Sequence, residues 1–270
     1  MVSNLLESGV EEVLEAAFAG SDEELFVIDP PASTIVSLVD AAVDRDDLPA
    51  MSMLADERVL KDVMDDFLVA SKAADLLESG ALTLRVLPED ADNALFVSES
   101  KVVALVNAGE RVAALSTTEE AFVSEVFGTH RDAFADAEEY ALRTPSISRV
   151  RETMAADIGE DVRDDFDAVL ASLESARGDD GLDEVTVSLL VAARNDVLLY
   201  DISKWGEDVG IASKATFSRT KTRLEDVGVI DTEKVPIDVG RPRLRLKLGD
   251  DRLVGVDAAA FADAAADLLA

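Results

Sequence analysis

Short apolar runs and longer stretches of helical period alternate through the first half of the chain. ELFVID (24–29) is an apolar run closed by Pro30-Pro31, which predicts a strand and then a helix over 32–44 with Ile35, Leu38, Val39 and Ala42 on one face. AMSMLA (50–55) reads as a second strand. The period over 56–78 predicts one long helix with Val59, Leu60, Val63, Met64, Phe67 and Leu68 turned inward, stopped by Gly80. ALTLRVL (81–87), NALFVS (93–98), KVVALVN (101–107) and RVAALS (111–116) follow as strands, the last two joined by an Ala-Gly-Glu turn. Thr117 or Thr118 is placed to cap a helix reaching about Tyr140. Alternating strand and helix, then strands joined by short turns, predicts an α/β domain with a mixed sheet over residues 1–144.

Pro145 marks a change of rhythm. Val150, Met154, Ile158, Val162, Phe166, Leu170 and Leu173 keep a helical period, with Gly159 placed to divide it into two helices. Residues 145–178 therefore read as a helical connector, which either packs on its own domain or pairs with a second copy as a homodimer. Arg177-Gly-Asp-Asp-Gly181 is a linker into a last domain spanning 179–270.

In that domain Asp183 opens a helix running to about Asp196, and a second helix over 201–210 ends at Gly210. Ile211-Ala212 turns the chain, and Ser213 caps a helix through Val227, itself ended by Gly228. Helix, tight turn, helix is the order of a helix-turn-helix. At 100° per residue, Phe217, Thr220, Lys221 and Leu224 share the packed side of the 213–227 helix. Ala215, Ser218, Arg219 and Thr222 lie opposite, with Thr216 and Arg223 beside them and Lys214 in the first turn. Residues 229–235 alternate as a strand, Pro236 to Pro242 turn, and Arg243-Leu-Arg-Leu-Lys-Leu alternates again. Leu244, Leu246 and Leu248 face inward there, and Arg243, Arg245 and Lys247 face out. This hairpin is a wing with Gly240-Arg-Pro-Arg at its tip. A final Ala-rich segment over 256–270 places Phe261, Ala264, Ala265, Leu268 and Leu269 at helical spacing. The fold class is α+β overall: a mixed-sheet α/β domain, a helical connector and a C-terminal winged helix-turn-helix.

Charge sharpens this reading. The chain has 25 Lys+Arg against 57 Asp+Glu, a formal net charge of −32. Residues 214–247 nevertheless hold nine of the cations and only five acids, +4 in all, leaving −36 on the other 236 residues. An acidic chain that inverts its sign over one short window meets a polyanion there. Double-stranded DNA is the partner expected. Its candidate contacts are Ser213, Lys214, Thr216, Ser218, Arg219, Thr222 and Arg223 on the helix, in the major groove, and Arg241, Arg243 and Arg245 on the wing. The alternative is a winged helix that docks another regulator rather than DNA.

A hydrophobic content of 48% supplies real cores, so the acidity is not that of a disordered chain. Acids spread along the sequence, with few aromatics, suit a protein working in concentrated salt, where a Debye length of about 3 Å screens self-repulsion. Binding in such salt leans on base contacts and paired half-sites, because counterion release weakens. The chain has no cysteine, hence no disulfide or thiolate metal site. Residues 1–7 have no basic run and no apolar core, and nowhere are there 18 uninterrupted apolar residues. The expectation is a cytoplasmic protein without a membrane span.

The stretch Gly210-Ile-Ala-Ser-Lys-Ala-Thr-Phe-Ser-Arg, then Leu-Glu-Asp-Val-Gly-Val-Ile and GRPRLRLKL, resembles winged helices of haloarchaeal regulators. With LFVID near the start and SISRVRETMAADIGEDVRDDF before the winged helix, essentially the whole chain resembles the TbsP family. The resemblance implies a transcriptional regulator linked to central carbon metabolism, acting alongside the sugar-responsive TrmB regulator. It carries over no set of ligand-binding residues.

The N-terminal domain offers a small-metabolite effector the strand ends of an open sheet. Asp29, closing the first strand, is either a ligand contact or a turn cap. The strand pattern is similar to phospholipase-D-like domains, whose catalysis requires two His-x-Lys motifs, but His130 in His-Arg-Asp is the one histidine. Neither a phosphate loop nor a nucleophile elbow appears. The sequence therefore predicts no enzyme, no catalytic residue, no metal and no cofactor.

Overall fold

The computed structural model of the chain describes residues 3–5, 24–43, 45, 48–88, 91–108, 111–173, 176, 182–238 and 242–269. Contacts divide the chain into two units, one of residues 1–65 and 72–142 and one of residues 66–71 and 143–270.

In the first unit seven strands form one mixed sheet: β1 (Ser3–Leu5), β2 (Glu24–Ile28), β3 (Ala50–Ala55), β4 (Leu82–Val86), β5 (Leu95–Val97), β6 (Val102–Ala108) and β7 (Arg111–Thr117). Their order is β1-β7-β6-β5-β2-β3-β4. β2, β3 and β4 run parallel, with Phe26 opposite Ser52 and Met53 opposite Leu84; every other pairing is antiparallel. The parallel strands are linked by α1 (Ala32–Val43), α2 (Glu57–Met64) and α3 (Phe67–Glu78). α4 (Glu120–Asp136) lies on the sheet, and Phe26 meets Phe127 and Phe134 edge-on at 5.3 and 5.7 Å. Phe26, Ile28, Leu54, Val97, Val102, Val123 and Phe127 form that core. Leu25, Val27, Met51 and Met53 alternate to the other face and are as deeply buried, which is why β2 and β3 read as continuous apolar runs.

Three local expectations are corrected. The single helix over 56–78 is two helices, because two aspartates each start one. Asp56 accepts from the amides of Arg58 and Val59, and Asp66 accepts from Leu68 N–H at 2.9 Å. The cap of α4 is Glu119, not a threonine; its carboxylate accepts from Ala121 and Phe122 N–H, while Thr117 stays in β7 and accepts from Glu119 N–H. α4 stops at Asp136 rather than Tyr140. Residues 138–140 leave it to bond the β4 edge through Val86 N–H to Glu138 O and Tyr140 N–H to Leu84 O. Arg85 Nη1 donates to the freed carbonyls of Phe134 and Ala135 at 2.6 and 2.8 Å.

The second unit contains α5 (Ile147–Asp157), α6 (Glu160–Ser172), α7 (Glu184–Arg194), α8 (Leu199–Val209), α9 (Lys214–Asp226), the hairpin β8 (Ile230–Val235) and β9 (Arg243–Leu248), and α10 (Ala258–Leu269). Gly159 separates α5 from α6, as the spacing predicts, at a φ of +149° that side chains rarely adopt. Every residue of α7 from Val185 to Ala193 is buried, so it is the central helix of the unit. Around it one core joins Val150, Met154 and Phe166 of the connector, Trp205 of α8, Phe217 and Leu224 of α9, Leu246 of β9 and Phe261 of α10. The apolar face of 147–172, which the sequence left open for a second copy, is covered inside this unit. Residues 177–181, the expected linker, lie outside the described residues. This is the α+β architecture expected, with a winged helix-turn-helix at its C-terminal end.

Candidate nucleic-acid interface

The turn between α8 and α9 spans residues 210–213. Gly210 takes a left-handed φ of +98°, and the amides of Gly210 and Ile211 close on Gly206 O at 3.2 and 2.9 Å. Gly206 is where the two helices touch. A Cβ there would lie 2.3 Å from the Phe217 ring. Ser213 then starts α9, its Oγ accepting from Thr216 N–H at 3.2 Å.

α9 divides as its projection predicts. Phe217, Lys221 and Leu224 are buried, and Lys214, Ala215, Ser218, Arg219, Thr222 and Arg223 are exposed. Lys221 is structural: it pairs with Glu225, whose other oxygen accepts from Thr232 Oγ1 at 2.7 Å and so ties α9 to β8. On the outer face Ser213 Oγ, Thr216 Oγ1 and Arg219 Nη2 form a chain of 3.0 and 3.3 Å contacts that positions the guanidinium. Arg219 has no carboxylate within ion-pair distance among the described residues. Thr222 donates back to Ser218 O at 3.1 Å, and Ser218 is itself exposed. Arg223 turns toward α7 and donates to Thr186 Oγ1 at 3.1 Å, which draws it off the outer face.

The wing is a hairpin of six paired residues on each strand, and β9 has a second neighbour. Leu246 N–H donates to Val197 O at 2.9 Å and Leu198 bridges Arg245, so the segment between α7 and α8 adds a third edge. Leu246 is fully buried, and Leu244 and Leu248 are partly so. Arg243, Arg245 and Lys247 are half-buried rather than free. Arg243 reaches Asp201 at 3.6 Å, Arg245 reaches Glu233 at 3.9 Å and Lys247 reaches Asp196 at 2.7 Å. Lys214 likewise meets Glu207 at 2.7 Å, a contact that raises the lysine pKa and lowers that of the carboxyl through their hydrogen bond. Arg241 lies outside the described residues.

One aromatic went unnoticed in the sequence. Tyr200 is 48% exposed at the start of α8, with the Arg243 guanidinium 4.5 Å over its ring. The signal was available: Tyr200 lies about 160° around α8 from the buried Ile202 at 100° per residue. In the first unit Asp29 has a φ of +45°, Thr34 Oγ1 is buried with no partner among the described residues, and His130 is half-buried on α4. No described helix is long and apolar enough to cross a membrane.

Residues 2–145 match the N-terminal domain of TbsP-like transcriptional regulators, and residues 146–266 match their C-terminal helix-turn-helix domain. The chain belongs to the TbsP-like family of transcriptional regulators. Both matches meet in the loop before α5, so the TbsP-like C-terminal domain takes in α5 and α6 together with the winged helix. No curated protein matches the chain significantly in sequence. Among solved structures it is similar to TrmBL2, titled an archaeal chromatin protein with a novel mode of DNA binding, at 19% identity and a TM-score of 0.38 over 52% of this chain. It is also similar to Nuc, a phospholipase D family member from Salmonella typhimurium, at 12% identity and a TM-score of 0.35 over 52% of this chain and 96% of that one. The TbsP-like chain spans 54% of the TrmBL2 structure, about half its length. At these scores neither likeness carries a functional argument.

Proposed function

We propose that the chain is a sequence-specific DNA-binding regulator of transcription, which lays α9 in the major groove and steadies it with the wing. One observation carries this reading. In a chain of net charge −32, the outward face of the second helix of a helix-turn-helix carries no acid from Ala215 to Arg223, Asp226 entering it only in the last turn, and presents Arg219, held by Thr216 and without a carboxylate partner among the described residues. A guanidinium so positioned suits the O6 and N7 acceptors of guanine. Ser218 and Thr222 are short polar neighbours that let the helix approach the base edges.

The finer parts of the proposal rest on sequence. Resemblance points to genes of central carbon metabolism in a haloarchaeal cytoplasm, and acidity spread along the chain supports work in concentrated salt. Recognition in that salt favours a homodimer on paired half-sites. Residues 1–144 serve as the sensor, 145–178 as the connector and 179–270 as the DNA reader. The effector, a small metabolite, is assigned to the carboxyl ends of β2 and β3, beside strained Asp29 and unpartnered Thr34.

Incubating the full chain with pooled genomic promoter fragments in about molar KCl, the regime where the Debye length is about 3 Å, and sequencing what it retains tests the proposal. Enrichment of a few fragments sharing a motif is expected. Uniform retention, or none, contradicts sequence-specific reading and favours a winged helix that docks another regulator.

A further inference from the structure

Four of the cations turned toward the proposed duplex arrive already paired. Lys214 is held by Glu207 of α8, Arg243 by Asp201 of α8, Arg245 by Glu233 of β8 and Lys247 by Asp196 of the turn after α7. The four carboxylates come from three elements of one unit, so this is not the incidental neighbouring of acids on one helix. Lys214 is held twice, since its backbone N–H also donates to the other Glu207 oxygen at 3.3 Å. Lys204 and Asp208 form a further pair on α8. Arg219 and Arg223 instead bond hydroxyls. All eight side chains of the four pairs are more than a third exposed, so water and salt reach them.

We infer that Glu207, Asp201, Glu233 and Asp196 are counter-charges of the DNA interface that make its affinity insensitive to salt. The inference rests on the DNA-reading function proposed above. Phosphate binding ordinarily gains affinity by releasing condensed counterions, and log K falls with log[salt] at about −0.9 per phosphate neutralised. Four unpaired cations would give a slope of about −3.6 per bound protomer on that rule. A cation that brings its carboxylate to the duplex adds no net charge there. It neutralises no phosphate and releases no counterion. The pairs still orient hydrogen-bond donors toward the backbone, so they fix register while giving up the electrostatic gain. Discrimination is left to Arg219, whose charge is not matched in this way.

The test is the salt slope of the full chain on an enriched duplex, measured by fluorescence anisotropy over a tenfold range of KCl in which circular dichroism shows the chain folded. Wild type, Glu207→Gln, Asp201→Asn, the double variant and Asp263→Asn are compared; the last is an exposed acid on α10 that removes the same charge away from the interface. Expected is a shallow wild-type slope, steepened by about 0.9 per bound protomer in each single variant. For each protomer bound, a single variant then loses about eightfold more affinity than wild type across the range, and the double variant about sixtyfold. Asp263→Asn should follow wild type. A wild-type slope near −3.6 per bound protomer, or single variants with the wild-type slope, would overturn the inference while leaving DNA reading intact. A slope change in Asp263→Asn equal to the others would overturn it too, by showing that only total charge matters. Absence of binding by every protein at every salt concentration contradicts the DNA reading itself and, with it, the inference.

Discussion

Single residues in this chain have roles set by what lies within a few ångströms. Gly206 is glycine because Phe217 occupies the space of a Cβ, with the ring where a methyl would sit. Gly206→Ala must separate α8 from α9, and overpacking of this kind costs roughly 1–3 kcal/mol. Urea unfolding at constant KCl should show that loss; an unchanged midpoint would mean the two helices do not meet as described. Gly206 was invisible to sequence reading. It sits inside a helical period, where periodicity reports which face is buried but not how closely a neighbour approaches. His130 makes a second test. Partial burial holds its pKa below 6.5. The unfolded chain therefore binds more protons in that window, so the stabilising contribution is complete above the unfolded pKa of about 6.5 and is lost as pH falls through the folded value. As the chain has one histidine, a single imidazole resonance in an NMR titration reports it. The expected midpoint is below 6.5, and a midpoint at or above it would contradict the burial.

At the scale of elements, a helix start can be separated from a DNA contact. Ser213 caps α9 and stands at the edge of its outer face. Ser213→Ala should cost about 0.5–2 kcal/mol as a lost cap. Ser213→Asp keeps the cap but adds a negative charge toward phosphate, so thermal stability should hold while DNA affinity falls. Equal affinity for Ser213→Asp and wild type would take the N-terminal turn of α9 away from the duplex. Elements with a repeating signal were legible in the sequence: the apolar runs of β2 and β3, the split at Gly159, the faces of α9 and the alternation of β9. What stayed illegible depends on partners distant in sequence. Residues 138–140 leave α4 because the β4 edge bonds them, and nothing in their own spacing announces it. The wing cations read as outward by alternation, and they are, but the carboxylates that receive them lie up to 51 residues earlier in the chain, as with Lys247 and Asp196.

For the whole molecule, the net charge of −32 and the +4 window describe one design problem: binding a polyanion with a polyanionic protein. On the proposed reading, local inversion of charge, paired wing cations and an Arg219 with no carboxylate partner among the described residues answer it together, by moving affinity from phosphate attraction to base contact. The most direct test is the ratio of affinities for an enriched duplex and its scrambled counterpart, measured in about molar KCl, where the Debye length is about 3 Å, for wild type and Arg219→Ala. The account predicts a large wild-type ratio that falls by about 1–3 kcal/mol in the variant, with preference relaxed at the base pair Arg219 reads. An unchanged ratio would remove α9 from sequence recognition.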